Sequence, residues 1–155
     1  MGVLNVTPDS FSDGGQLLSR EGLLHDRLLE RATQMVADGA AILDIGGEST
    51  RPGAAPVSLQ EELDRVMGAV QLITPRLDVI LSIDTSTPEV MREAAKTGAG
   101  LLNDVRAFSR EGAMAVAVAS QLPVSLMHMS DEPDRMQEQT AYDDVVTDVK
   151  AFLAH

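Results

Sequence analysis

Short runs of aliphatic and β-branched residues alternate along this chain with longer stretches whose apolar positions recur at helical spacing. Five such units can be read, with predicted strands at Gly2 to Val6, Ala41 to Ile45, Val79 to Ile83, Gly100 to Asn103 and Val124 to Met127. Each run is too short to be a helix. Between them, Leu23, Leu24, Leu28, Ala32, Met35 and Val36 fall near one helical stripe, as do Leu59, Leu63, Val66, Val70 and Ile73. Val90, Ala94 and Ala95 mark a third helix, Met114, Val118 and Ala119 a fourth, and Val145, Val149 and Phe152 a fifth. Helix punctuation agrees with this division. Ser58 stands three residues before Glu61 in capping-box order, and Thr87-Pro88 places a cap before a proline at a first helical position. Gly39 and Gly98 sit where helices are expected to end.

Continuously apolar strands joined through helices imply an α/β fold with a parallel sheet. Two architectures satisfy that pattern. One is a doubly wound, flavodoxin-like sheet, which suits five units in 155 residues. The other is a partial TIM (β/α)8 barrel, whose complete form takes about 250 residues. Length alone favours the doubly wound sheet, and the motifs described below reverse that preference. No short-period repeat, low-complexity stretch or interdomain linker divides residues 1–155, which read as one domain.

Composition removes several function classes. The net charge is −12, so a nucleic-acid backbone or an anionic membrane surface would repel most of the molecule, and any anionic ligand needs a local basic or dipolar site. With no cysteine there is neither a disulfide nor thiolate chemistry, and cytoplasm is the default expectation. No apolar run approaches the ~20 residues that span a bilayer, and the first residues carry no basic segment.

In parallel α/β folds ligands bind beyond the carboxyl ends of the strands. After the first strand comes Asn5-Val6-Thr7-Pro8-Asp9-Ser10-Phe11-Ser12-Asp13-Gly14-Gly15, too long and polar for mere connection. After the second comes Asp44-Ile45-Gly46-Gly47-Glu48-Ser49-Thr50-Arg51-Pro52-Gly53, after the third Asp84-Thr85-Ser86, after the fourth Asn103-Asp104-Val105-Arg106, and after the fifth His128-Met129-Ser130. The first loop fails as a calcium loop, because Phe11 and Arg20 stand where ligands are required. Gly46-Gly47 reads equally as a turn, and Ser49-Thr50 as a helix cap. Arg51 beside hydroxyls and glycine amides makes an anion site the alternative. Asp84 closes an apolar strand, either leading into a cap through Thr85 or Ser86 or accepting two parallel hydrogen bonds from a planar N–H pair. Asn103 offers a donor and an acceptor together, which suits a heterocycle. His128 between two methionines reads as structural, with no second histidine at metal-ligand spacing. A nucleophile elbow, a Walker A loop and spaced Rossmann glycines are absent from the sequence.

Taken together, the segments 1–15 and 44–53 resemble the first two signatures of the dihydropteroate synthases. Ser82-Ile83-Asp84-Thr85, Asn103-Asp104-Val105 and Leu126-Met127-His128-Met129 are similar to the family's next strand ends, in the same order. The resemblance runs nearly the whole chain. It implies a pterin-binding barrel that joins 6-hydroxymethyl-7,8-dihydropterin diphosphate to p-aminobenzoate in folate biosynthesis, giving 7,8-dihydropteroate and pyrophosphate with Mg²⁺. It further implies that Asp84 and Asn103 hold the pterin ring, that Thr50 and Arg51 meet the diphosphate, and that Asn5 supports the metal site. Phe11 and Asp13, with Pro52, are implied to close over the aminobenzoate, and Asp84, Arg51 and Asp13 form the implied catalytic set. A sulfonamide target and a homodimeric full-length form follow from the same resemblance.

Two departures stand against the family pattern. Ser130-Asp131-Glu132-Pro133-Asp134 occupies the place where many relatives carry a glutamine-glycine pair. The family's sixth-strand Asp-Pro-Gly segment, seventh-strand lysine and serine, and final arginine and histidine have no counterpart before His155. The expectation is therefore an amino-terminal part of the barrel that is inactive alone and self-associates. The alternatives are a methyltetrahydrofolate methyltransferase-like pterin barrel, a catalytically dead pterin binder, and a non-catalytic receiver-like module with Asp84 as its acceptor.

Overall fold

The computed structural model describes residues 1–7, 20–48, 57–129 and 141–154. Within them five strands, β1 (Gly2–Asn5), β2 (Ile42–Gly46), β3 (Ile80–Asp84), β4 (Leu101–Asp104) and β5 (Val124–Leu126), alternate with five helices. These are α1 (Arg20–Ala37), α2 (Leu59–Ile73), α3 (Pro88–Thr97), α4 (Ala113–Ser120) and α5 (Val145–Leu153). Each strand lies within a residue or two of its predicted place.

All neighbouring strands are parallel and their order is β1-β2-β3-β4-β5. A doubly wound sheet reverses its strand order at a switch point and carries helices on both faces. Here the order never reverses, and α1 packs on α2, α2 on α3 and α3 on α4 in one layer. That is the winding of a β/α barrel, seen over five of its units. It excludes the receiver-like alternative, whose fold needs the reversed order.

The core lies between the sheet and this helical layer. Leu4, Leu43, Ile45, Leu81, Ile83 and Leu102 alternate along the strands toward the helices and meet Val66, Val70, Ile73, Val90, Met91 and Ala94. Each fully buried aliphatic side chain contributes about 1.5–3 kcal/mol. The opposite face holds Val3 and Ile80, each half exposed at 50%.

Local chemistry fixes the helix ends. At α2 the Ser58 Oγ accepts from the Glu61 amide at 3.3 Å, and the Ser58 amide donates to Glu61 Oε2 at 3.1 Å, which completes the capping box. Gly98 ends α3 at φ +128°, a conformation side chains resist. Helix α4 departs from expectation. Met114 and Val118 are exposed at 53% and 62%, while Ala113, Val116 and Ala117 face the core. Its sequence is apolar all round, so periodicity cannot choose a face, and the small alanines allow closer approach to the sheet. Helix α5 buries no residue, although Phe152 meets the His128 ring edge-on at 4.9 Å and Tyr142 lies 5.7 Å from it. His128 thus packs against two aromatic rings.

Candidate functional site

Strand register brings the strand-end residues to one level. Asn5 pairs with Gly46, Gly46 with Asp84, Asp84 with Asn103, and Asn103 with Ser125. Because side chains alternate, Asn5, Asp84 and Asn103 share the face of the sheet turned away from the helices. Gly46 keeps that level open, since a Cβ there would lie 3.3 Å from Asp84 Oδ2 and 3.5 Å from Asn5 Oδ1.

Two residues deeper on the same face, Asp44 pairs with Ser82. Asp44 is buried and accepts from Ser82 Oγ at 2.5 Å and from Asn103 Nδ2 at 3.2 and 3.3 Å. These bonds satisfy a carboxylate that would otherwise be costly to bury. They also commit the Asn103 NH₂ group to Asp44 and leave its carbonyl oxygen for another partner.

Asp84 differs from Asp44. It has no side-chain hydrogen bond among the described residues. Burial first, and then the negative charges of Asp44, Asp104, Glu48 and Glu62, push its carboxyl up to about 7 from the ordinary 3.8. Among the described residues this leaves an acceptor without a donor beside an oriented amide, an arrangement able to accept hydrogen bonds from adjacent N–H groups.

Behind Asp84 the Thr85-Ser86-Thr87 segment is buried and fully engaged. Ser86 Oγ donates to Asp104 at 2.5 Å, and Asp104 also accepts the amides of Arg106 at 2.8 Å and Phe108 at 2.7 Å. Those bonds hold Ala107 and Phe108 at φ values of 50° and 58°, which non-glycine residues adopt only under local constraint. Arg106 Nη1 donates to Glu48 Oε2 at 3.3 Å and to Ser86 Oγ at 3.1 Å, tying the end of β2 to β3 and β4. Thr85 and Ser86 therefore serve buried carboxylates, and Thr87, the N-cap of α3, makes no cap bond with its side chain.

Of the residues singled out in the sequence, Asp84, Asn103 and Asn5 come together as expected. Thr50, Arg51 and Pro52, and Phe11 and Asp13, lie outside the described residues. Asp44, Ser82 and Glu62 were not assigned roles from sequence. Asp44 was legible as the residue two before Gly46, hence on the same face, and Glu62 as a carboxylate falling on the Val66, Val70, Ile73 stripe of α2. Among the described residues no cluster of three or more histidines or carboxylates is placed to hold a metal, and no helix is long and apolar enough to cross a membrane.

The model of the pterin binding enzymes matches residues 1–155. The chain belongs to the pterin-binding enzyme family. Its relatives include the dihydropteroate synthase of Escherichia coli K12, 51% identical over 99% of this chain and 52% of the relative. That of Haemophilus influenzae is 50% identical over 99% of this chain and 54% of the relative. Among solved structures, a Yersinia pestis dihydropteroate synthase in a sulfonamide drug complex superposes with a TM-score of 0.83 at 50% identity, covering 99% of this chain and 54% of that one. A Xanthomonas albilineans dihydropteroate synthase with 4-aminobenzoic acid gives 0.84 at 42% identity, covering 99% of this chain and 52% of that one. The chain spans about half the length of the relatives it matches.

Proposed function

We propose that this pterin-binding chain supplies the pterin pocket of a dihydropteroate synthase, which condenses 6-hydroxymethyl-7,8-dihydropterin diphosphate with p-aminobenzoate in folate biosynthesis. The observation that carries the proposal is the pairing of Asp84, which has no donor among the described residues, with an Asn103 amide oriented by Asp44 at the same strand level. A pterin offers its ring N–H and amino group to the Asp84 carboxylate and a further donor to the Asn103 carbonyl. The Escherichia coli and Haemophilus influenzae relatives favour this reading over a methyltransferase-like barrel. The structures with 4-aminobenzoic acid and with a sulfonamide support aminobenzoate as co-substrate and the chain as a sulfonamide target.

In this reading the pocket binds the ring flat against the strand ends and orients its methylene carbon toward the entering amine. Cleavage of the carbon–oxygen bond leaves positive charge on the methylene, which the Asp84 carboxylate stabilises electrostatically. Thr50 and Arg51 bind the diphosphate, and Phe11, Asp13 and Pro52 enclose the aminobenzoate. Asn5 presents an amide oxygen, a hard donor suited to Mg²⁺, and would hold the ion. The ion held there would supply neutralisation of the diphosphate charge. The full enzyme would work in the cytoplasm as a homodimer.

Fluorescence titration of the chain with 6-hydroxymethylpterin tests the pocket, with Asp84→Ala as control. Saturable binding abolished by the substitution is expected, and equal binding by both proteins would sink the proposal. Mass-spectrometric detection of dihydropteroate from the two substrates with Mg²⁺ tests turnover, which is not expected from this chain alone.

A further inference from the structure

Three consecutive hydroxyls follow Asp84, and two buried carboxylates from different elements take them alternately. Glu62, on α2 and only 4% exposed, accepts from Thr85 Oγ1 through Oε1 at 2.5 Å and from Thr87 Oγ1 through Oε2 at 2.6 Å. Asp104, at the end of β4, takes Ser86 between them. Each threonine hydroxyl donates to Glu62 and also accepts from a further donor. Thr85 Oγ1 accepts the Thr87 amide at 3.0 Å, and Thr87 Oγ1 accepts Arg110 Nη1 at 3.1 Å. Both oxygens of Glu62 thus accept from the segment that follows Asp84, one from each threonine.

This clamp bears on the pocket through the backbone. The Thr85 amide donates to the Asn103 carbonyl at 3.0 Å, one residue past the paired Asp84 and Asn103. Fixing Thr85 fixes the last rung between β3 and β4, and with it the spacing of the two groups that face the ligand. Helix α2 is well placed to act as the anchor, since its Val66, Val70 and Ile73 are wholly buried and its amino end is closed by the capping box.

We propose that Glu62 is a positioning residue of the pterin pocket, holding the carboxyl end of β3 so that Asp84 and Asn103 stand at a fixed separation; this rests on the pterin-binding reading above. Glu62 touches no substrate itself. Glu62→Gln keeps the shape but supplies only one acceptor oxygen, so one threonine hydroxyl has to turn its proton away and accept instead. Glu62→Ala removes both, and Thr85→Val removes one hydroxyl together with the acceptor of the Thr87 amide.

The test pairs amide hydrogen exchange on the ligand-free chain with 6-hydroxymethylpterin titration. In Glu62→Ala, exchange of the Thr85 and Thr87 amides is expected to accelerate by about tenfold or more, the size of one lost hydrogen bond to a charged acceptor, with Leu81 and Ile83 unchanged. Pterin affinity should fall by about the same factor, with Glu62→Gln and Thr85→Val in between. Where Glu62→Ala fails to fold, the two milder variants carry the same comparison. Unchanged Thr85 and Thr87 exchange overturns the proposal whatever the ligand does. Accelerated exchange with unaltered affinity also overturns it, by reducing Glu62 to a structural residue. Failure of the unsubstituted chain to bind pterin would instead refute the pocket reading, and the exchange arm would still decide whether Glu62 holds the strand ends.

Discussion

Both carboxylate oxygens of Asp44 accept from one donor, the Asn103 Nδ2, across two strand spacings at 3.3 and 3.2 Å. The consequence lies on the other side of the amide. With its NH₂ committed to a buried carboxylate, Asn103 shows the pocket a carbonyl oxygen, so Asp84 and Asn103 together present acceptors to the ligand. Asp44→Asn breaks this rule by placing a second NH₂ against the first, which turns one amide over. Pterin affinity is expected to drop about tenfold, near 1.4 kcal/mol, with a smaller loss of stability. Titration beside a melting curve checks it, and unchanged affinity would show that the orientation of Asn103 does not matter.

The carboxyl of Asp84 makes folding stability depend on pH. Its folded value is about 7 against an ordinary 3.8, so between those values the folded chain holds a proton that the unfolded chain has released. More protons on the folded state means stability falls as pH rises. The contribution is therefore intact below about pH 4, declines through the window up to about 7, and is flat above it. Urea unfolding of the unsubstituted chain and Asp84→Asn across that range should give curves that diverge as pH rises, with the variant the more stable at pH 8. Parallel curves would mean that Asp84 titrates normally.

Much of the fold was legible because barrel strands are short apolar runs bounded by polar strand-end residues. Val79 to Ile83 ending in Asp84 is an instance, and neither signal needs tertiary information. What periodicity could not supply was the face of α4, where Met114 and Val118 are as apolar as Val116 but stand in solvent. Asp84 and Asn103 were readable as strand-end polar groups, and the strand register brings them to one level. Their supports were not, because Asp44 bonds to a residue 59 positions away and Glu62 to one 23 positions away. Such pairings depend on strand register, which local spacing does not encode. Strand order, which separated the barrel from the doubly wound sheet, is likewise a property of the assembled sheet.

Binding should carry the same titration as stability, with the opposite trend. Only the ionised Asp84 accepts hydrogen bonds from both groups of a pterin edge. Below pH 7 the ligand must displace a proton, so affinity is expected to rise toward about tenfold per pH unit on the acid side and level off above about 7. Calorimetry at pH 6 in buffers of different ionisation heat should register proton release. No release, together with pH-independent affinity, would place the pterin away from Asp84.

The face opposite the helices has its own expected behaviour. Val3 and Ile80 are half exposed there, and among the described residues β1 and β5 each have one neighbouring strand. Apolar surface beside strand edges promotes association. Sedimentation velocity should show the chain self-associating as concentration rises, and Val3→Lys with Ile80→Lys should weaken this without altering the helical signal. A monomer that melts cooperatively at high concentration would contradict the expectation.

Adjacent glycines separate the requirements of the pocket from those of the core. A Cβ on Gly46 would stand 3.3 Å from Asp84 Oδ2 on the ligand-facing side, displacing whatever approaches the carboxylate. A Cβ on Gly47 points the other way and would lie 2.9 Å from Val66 Cγ2 and 3.2 Å from Glu62 Cγ, inside normal contact. Val66 is fully buried and cannot move aside cheaply. Gly47→Ala is thus expected to destabilise the fold by about 1–3 kcal/mol, the usual range for overpacking. Gly46→Ala should leave stability nearly unchanged while weakening pterin binding, because its new methyl group meets the half-open pocket rather than the core. Denaturant unfolding and pterin titration on both variants separate the two effects. If Gly46→Ala were the destabilising change and Gly47→Ala the binding defect, the assignment of the two sheet faces to ligand and core would be reversed.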